Sequence, residues 1–259
     1  MMGTIHFEVR DRIGLVTLDS PPMNPLDRAM VTRLGELLAD AAADTGVRAL
    51  LLHGAGGRAF SAGSDLNEVR GMIARGRDAL AAKFAQDDAV FGALAAFPKP
   101  TLAAIEGTAM GGGLELATCC DFIVCARNAR LGLPEIRLGV FPGSGGTVRV
   151  TRRIGPGRAR RMMLLGDAID AATAERWGLV DELCDEGQAV AVATPLAARL
   201  AAGPARAMQG CKESLAAAID QDERAALDVS RRWAVDLGFS DDLAEGLRAF
   251  DEKRRPVFR

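Results

Sequence analysis

Ile105-Glu-Gly-Thr-Ala-Met-Gly-Gly-Gly-Leu-Glu-Leu-Ala-Thr-Cys-Cys-Asp121 sets three consecutive glycines between an apolar run, Thr101–Ile105, and a run of helix formers. The apolar run reads as a buried strand, the span from Gly107 to Gly113 as a loop, and the residues from about Gly113 to Cys119 as a helix. Glycine lets a backbone come close to a ligand and adopt φ values closed to other residues. The first N–H groups of a helix lack partners within it and sit at the positive end of its dipole. Such groups can hold a developing oxyanion, each being worth about 3 kcal/mol of barrier. Tight packing of a strand on a helix uses the same glycines, and this stretch alone does not separate the two readings.

Outward from this stretch the chain alternates strands, glycine loops and helices. Ile5–Val9 and Ile13–Leu18 read as a hairpin around Asp11-Arg12. Asp27 can cap a helix to about Ala43, with Met30, Val31, Leu34, Leu37 and Leu38 near helical spacing. Val47–His53 is a continuous apolar run of the kind found in buried parallel strands. Residues 78–96 read as a helix ending before Pro98, and Phe122–Cys125 as a further strand. This alternation predicts a parallel sheet with right-handed crossovers. More helices start at Pro142–Gly146, and from about Pro195 the pattern is helical only, over 195–201, 204–219, 222–237 and 241–253. The organisation expected is an α/β core over residues 1–194 and a helical region over 195–259.

Composition removes whole classes of chemistry. A chain of 259 residues with 49% hydrophobic and 25% charged residues is globular, and its net charge of −2 gives no reason to expect nucleic-acid binding. There is no Tyr, His occurs only as His6 and His53, and Lys only as Lys83, Lys99, Lys212 and Lys253. That leaves no Tyr proton donor, little room for a histidine triad or multi-histidine metal site, and no P-loop lysine. No G-x-G-x-x-G follows a predicted strand, which discards a dinucleotide fold. Five cysteines without C-x-x-C spacing predict buried free thiols rather than disulfides or zinc. The N-terminus has no signal-peptide pattern, and no apolar stretch is long enough to span a membrane. A reducing, cytoplasmic compartment is expected. Carboxylates remain as the groups for proton transfer.

Two carboxylates stand out. Glu115 falls in the first turn after the glycines, where it can also simply complement the helix dipole. Glu135 lies among Leu131, Leu133, Ile136, Leu138 and Val140, a wall of low dielectric that would raise its pKa toward values useful for proton transfer. A plain ion pair with Arg137 is the alternative for it. A second glycine segment, Arg58-Ala-Phe-Ser-Ala-Gly-Ser-Asp-Leu66, follows the strand ending near His53 and can offer a further backbone N–H. His53 itself reads as the end of a core strand.

Taken together, the motifs resemble the crotonase (enoyl-CoA hydratase/isomerase) family. They are Phe60-Ser-Ala-Gly-Ser-Asp-Leu66, Gly107-x-x-x-Gly-Gly-Gly-x-Glu-Leu-Ala-x-x-x-Asp121 and Leu133-Pro-Glu-Ile-x-Leu-Gly-x-x-Pro-Gly-x-Gly-Gly-Thr147. Leu165-Gly-Asp167, Ala174-x-x-Trp-Gly-Leu-Val-Asp181 and Glu245-Gly-x-x-Ala-Phe-x-Glu-Lys-Arg-x-Pro-Val-Phe258 continue the likeness over essentially the whole chain. The resemblance implies an α/β fold, a spiral of ββα units with a C-terminal helical trimerisation region. It implies an acyl-CoA thioester as substrate, with coenzyme A part of the substrate and no separate cofactor or metal. The backbone N–H groups of Ser64 and Gly112 take the place of the family's oxyanion hole, and Glu115 and Glu135 that of its acid/base pair. Ala62, Gly63, Asp65, Leu66, Gly111, Pro134 and Gly143 fall at positions that line the substrate or coenzyme site. Phe250 and Lys253, three residues apart on one face of the last expected helix, are expected to help hold CoA near a homotrimer or dimer-of-trimers interface. No nucleic-acid or membrane partner is expected.

Retention of both glutamates favours hydration of a 2-enoyl-CoA over double-bond isomerisation, which can run on one carboxylate. Another crotonase activity and a non-catalytic acyl-CoA-binding member stay open at this point. Residues 66–96, which often shape the acyl pocket in this family, resemble no particular subfamily.

Overall fold

The computed structural model describes residues 3–258. Met1 and Met2, where the reading of the N-terminus begins, and Arg259, at the far end of the helical region, lie outside the described residues. Strands β1 (Thr4–Arg10) and β2 (Ile13–Asp19) form the expected antiparallel hairpin, with Arg10 opposite Ile13. Its two turn residues, Asp11 and Arg12, have φ of 48° and 68°. A two-residue turn with both φ positive matches the twist of the flanking strands. Asp27 caps α1 (Arg28–Ala43), its Oδ1 accepting from the Met30 N–H at 2.8 Å.

Three successive strand–strand–helix units build the rest of the core. The first is β3 (Ala49–Gly54), β4 (Ala59–Ser61), α2 (Leu66–Arg75) and α3 (Arg77–Ala95). The second is β5 (Thr101–Ile105), β6 (Thr108–Met110) and α4 (Gly112–Ala117). The third is β7 (Phe122–Ala126), β8 (Arg130–Gly132) and a one-turn 3-10 helix, Glu135–Leu138, followed by α5 (Gly146–Leu165). After β9 (Ile169–Asp170) and α6 (Ala171–Trp177) comes β10 (Glu182–Cys184). The long strands form one sheet in the order β1-β2-β3-β5-β7-β10, parallel from β2 onward. The short ones form a second sheet, β4-β6-β8-β9, with β4, β6 and β8 parallel.

Alternation along the long strands serves two cores. Leu50, Leu52, Ala103, Ile105, Ile123 and Cys125 face α1 and the second sheet side. Leu51, Leu102, Ala104, Val124 and Ala126 face the opposite way, against Ala189, Ala193, Ala197 and Ala201. Those four alanines, spaced by four, form one stripe of α7 (Ala189–Ala201). The helix therefore starts six residues before Pro195 and carries that proline inside it, crossing the expected boundary at 194/195. It belongs by packing to the covering layer of the α/β sheet. The remaining tail is α8 (Ala205–Asp220), α9 (Glu223–Leu237) and α10 (Asp241–Asp251).

Several expectations need correction. The Gly107–Gly113 span is not all loop, because β6 runs through it. Helix α2 and strands β4 and β8 were not anticipated. Of the five cysteines four are buried, but Cys211 is exposed. The last helix stops at Asp251, before Lys253, which has a φ of 54°. There the Arg254 N–H reaches back to the Ala249 carbonyl at 3.0 Å, a closure that a left-handed residue permits. No helix among the described residues is long and apolar enough to cross a membrane.

Candidate active site

Each short parallel strand of the second sheet delivers one chemical segment at its C-terminal end. Ser64 comes three residues after β4, Gly112 two after β6, and Glu135 three after β8. Because neighbouring strands lie about 4.8 Å apart, these three segments must meet. Carboxyl ends of parallel strands are also where open α/β sheets bind ligands.

The glycines make the meeting possible. Gly63 has a φ of 96°, and a Cβ there would stand 2.8 Å from the Met110 carbonyl oxygen and 3.1 Å from the Gly112 nitrogen. Only a residue without a side chain lets the two loops touch. A Cβ on Gly112 would in turn lie 3.5 Å from the Ser64 nitrogen. The amides of Ser64 and Gly112 are thus neighbours. Among the described residues neither donates to a protein acceptor, Gly112 being the first residue of α4. Gly111 caps that helix with a φ of 52° and ψ of −129°, and a Cβ on it would be 3.1 Å from Glu135 Oε1. The Glu135 carboxyl therefore lies over the glycine that precedes the Gly112 amide.

Glu115 is 3% exposed, inside the first turn of α4. Its Oε1 accepts from the amides of Ser144 at 2.9 Å and Gly146 at 2.8 Å. Among the described residues Oε2 receives no protein donor and stays available to a water. Burial pushes the Glu115 carboxyl above the usual range, while the two amides and the Lys83 ammonium pull it back.

Glu135 opens the 3-10 helix directly after Pro134. Leu131 and Leu133 are fully buried beside it. Ile136, Leu138 and Val140, expected in the same wall, are instead exposed at 40%, 63% and 55%. Turning the chain through one 3-10 turn puts Glu135 inward and its successors outward. The Glu135 Oε2 is buried and has no hydrogen-bond partner among the described residues. Burial, with a further push from the Glu115 charge, raises its pKa to about 7. Arg137 does not neutralise it, pairing with Asp167 at 2.5 Å instead. The Glu115 charge thus adds to the burial that favours the protonated form of Glu135.

The other expected site residues divide. Asp65 caps α2, accepting from the amides of Asn67 at 2.7 Å and Glu68 at 3.2 Å, and this local duty accounts for its carboxylate. Ala62 and Leu66 are exposed on either side of the Ser64 turn, and Pro134 is half-buried. Gly143 packs against the Phe84 ring, where a Cβ would clash at 2.6 Å. Phe250 is 81% exposed at the end of α10, and no hydrogen bond or ion pair joins it or Lys253 to this site among the described residues. His53 bonds Thr17 Oγ1 at 2.9 Å within the main sheet and stands apart from the chemistry. Among the described residues no group of three or more His, Cys, Asp or Glu is placed to hold a metal ion.

Sequence reasoning missed the charged floor of the site. Lys83 and Asp87 of α3 are 8% and 5% exposed and form an ion pair at 2.5 Å. Together with Leu26, Ser64, Phe91 and Gly112 they line a small cavity beside the paired amides. Their spacing of four residues was the available signal, but on a surface helix the same spacing marks an ordinary solvated pair.

Known proteins resemble the chain over nearly its whole length. The sequence profile of the enoyl-CoA hydratase/isomerase family matches residues 8–259. A 2,3-dehydroadipyl-CoA hydratase from Escherichia coli is 36% identical over all of this chain and 99% of its own length. The crystal structure of an enoyl-CoA hydratase from Bacillus anthracis superposes with a TM-score of 0.94 at 32% identity, covering 98% of both chains. The structure of Pseudomonas aeruginosa DspI gives the same TM-score, 0.94, at 36% identity, over 99% of this chain and 97% of that one. The chain is a member of the enoyl-CoA hydratase/isomerase family, the crotonases, and has their fold.

Proposed function

We propose that this protein is an enoyl-CoA hydratase, adding water reversibly and with syn geometry across a 2-enoyl-CoA to give a 3-hydroxyacyl-CoA. The observation that carries the reading is the unequal pair of carboxyls beside two free amides. Glu115 is held by two N–H donors that favour its anion. Glu135 has an unpartnered buried oxygen and titrates near 7, which favours its acid form. Burial raises both carboxyls, but only Glu115 has backbone N–H donors that favour its anion, and that difference in hydrogen bonding assigns Glu115 as the base and Glu135 as the acid.

In this mechanism the thioester oxygen accepts from the amides of Ser64 and Gly112. Glu115 Oε2 takes a proton from water as the water oxygen bonds to Cβ. The alkene electrons move onto the thioester as an enolate, whose oxygen the two amides stabilise by about 3 kcal/mol each. Glu135 then delivers its proton to Cα and the carbonyl re-forms. The enzyme is left with Glu115 protonated and Glu135 ionised, and one proton exchange through water restores the starting state. Coenzyme A enters and leaves with the substrate, and no other cofactor takes part.

Assembly as a homotrimer or dimer of trimers belongs to the same proposal. The helical tail exposes Leu215, Ile219, Val235, Phe239, Leu247 and Phe250, and Phe239 is 91% exposed in the single chain. So much uncovered apolar surface on α8, α9 and α10 fits a subunit interface. Phe250 and Lys253 would then serve the coenzyme from a neighbouring subunit. The deciding experiment is loss of enoyl-thioester ultraviolet absorbance across a panel of 2-enoyl-CoA chain lengths, run beside a double-bond isomerisation assay. Hydration of at least one member at a rate well above isomerisation is expected, and isomerisation without hydration would overturn the reading.

A further inference from the structure

We infer that Lys83 and Asp87 are positioning residues of the hydration site, a buried ion pair that locks the Ser64 loop to the loop holding Glu115. The inference rests on the hydratase reading above and extends it to residues outside the family motifs. Lys83 Nζ donates to Ser64 Oγ at 3.1 Å and to Asp87 Oδ2 at 2.5 Å. The same Asp87 oxygen accepts from Ser144 Oγ at 2.6 Å. The Ser144 amide donates to Glu115 Oε1. One continuous chain of hydrogen bonds thus runs from the residue that offers an oxyanion donor to the carboxylate that activates water.

A purely structural pair would tie α3 to the core. This one does not. Among the described residues, every hydrogen bond of the two side chains outside α3 ends on Ser64 or Ser144. Lys83 also stands 4.8 Å from the Phe84 ring, and that ring packs on Gly143, beside Ser144. Burying two charges costs several kcal/mol per ion before their attraction is counted, and apolar residues of equal volume would hold a helix as well. What the charges add is direction: Asp87 fixes the Ser144 hydroxyl, so the Ser144 amide points at Glu115. A misplacement of about 1 Å in such a carboxylate is enough to lose about a hundredfold in rate.

The charged and titratable groups near Glu115 are few. Lys83 and Asp87 approach from α3, Glu135 from the 3-10 helix, Arg149 from α5 through its bond to the Ser144 carbonyl at 3.1 Å, and Cys119 from just beyond the end of α4. The Lys83 charge favours the Glu115 anion and the Asp87 charge opposes it. Neutralising one partner or the other must therefore move the acidic limb of the pH–rate profile in opposite directions, which loss of structure alone would not do.

The test uses the full-length protein with a hydrated enoyl-CoA. Asp87→Asn keeps the shape and the acceptor for Ser144, and the expected result is a fall in kcat of about tenfold to a hundredfold with KM little changed. Its acidic limb moves to lower pH. Lys83→Met gives a similar loss with the limb moved to higher pH. Should that variant fail to fold, the double change Lys83→Met with Asp87→Asn removes both charges and is expected to lose kcat while its limb returns toward the parent's. Limbs that stay in place or move together, or variants with kcat within about twofold of the parent, would overturn the inference. Titration of the Glu115 carboxyl by 13C NMR reads the same opposite shifts without substrate. If the parent protein hydrates no enoyl-CoA, the hydratase reading fails on that result, and the titration still decides whether the pair governs Glu115.

Discussion

Replacing Glu135 by Gln should damage activity and improve stability, each by an amount the structure sets. The buried carboxyl of Glu135 titrates near 7 rather than 4.5. In the folded protein it keeps its proton to higher pH than in the unfolded chain. Its contribution to stability is therefore complete below about pH 4.5, declines as pH rises, and is lost once pH passes about 7. A shift of that size corresponds to at most about 3 kcal/mol, and the partial access of the group to solvent brings it to roughly 1–2 kcal/mol. Gln has the shape of the neutral acid and no charge to bury. At pH 8, Glu135→Gln should melt higher than the parent by roughly 3–6 °C. At pH 4 the two should melt within about 1 °C of each other, since both then carry a neutral group. Hydration should fall by about 10²–10⁴-fold, the usual contribution of a positioned acid. Thermal unfolding at the two pH values and the ultraviolet assay measure both effects. A variant that melts lower at pH 8, or gains equally at pH 4, would refute the buried, protonated carboxyl on which the assignment stands.

Three further results should accompany it. Glu115→Gln should also cut hydration by about 10²–10⁴-fold, measured as kcat with one enoyl-CoA, because the amide cannot take a proton from water. In the parent protein kcat/KM for hydration should fall above about pH 7 as Glu135 loses its proton, and a pH–rate series should show that limb vanish in Glu135→Gln. Gly112→Ala meets only ordinary contacts of 3.5 Å and beyond, whereas Gly113→Ala would bring Cβ within 2.3 Å of the Ser61 carbonyl oxygen. The first should keep the parent's melting point yet lose about a hundredfold in kcat/KM by crowding the space beside the Ser64 amide, and the second should be destabilised by about 1–3 kcal/mol in a denaturant melt.

How much of this was legible beforehand depended on the length of the signal. Strands of five or more residues, such as Thr101–Ile105, and the capped helix after Asp27 declare themselves by continuous burial or helical period. Strands β4, β6 and β8 have three residues each, too few to show any alternation, so the second sheet could be expected only from family resemblance. The glutamates were visible because glycines and proline flag their neighbourhoods. Lys83 and Asp87 were not, because α3 carries no clean apolar stripe and its burial comes from α1 and α2 packing across it. Long-range cover of that kind leaves no mark in local periodicity.

The hidden sheet explains why so few residues need to be fixed for the chemistry to assemble. Thr108 pairs with Arg130 in β8, and Ala59 with Thr108 and Ser61 with Ala109 across a one-residue shift in β4, so the three short strands lie side by side. Whatever follows each strand by two or three residues is carried to the same place. Given the bare Gly63 that lets the loops touch, this pairing carries the two amides and the Glu135 carboxyl together. Glu115 is different: it reaches the site from inside α4, and its Oε1 bonds only backbone N–H groups of the Ser144–Gly146 turn. That turn lies outside the second sheet, so strand register does not locate it. The position of the base thus depends on the amides of Ser144 and Gly146, and through the Ser144 hydroxyl on Asp87, where the positions of the other three groups depend chiefly on backbone pairing. Variation in α3 should accordingly alter how Glu115 titrates and how the Ser64 loop is held, while leaving Gly112 and Glu135 where strand pairing holds them.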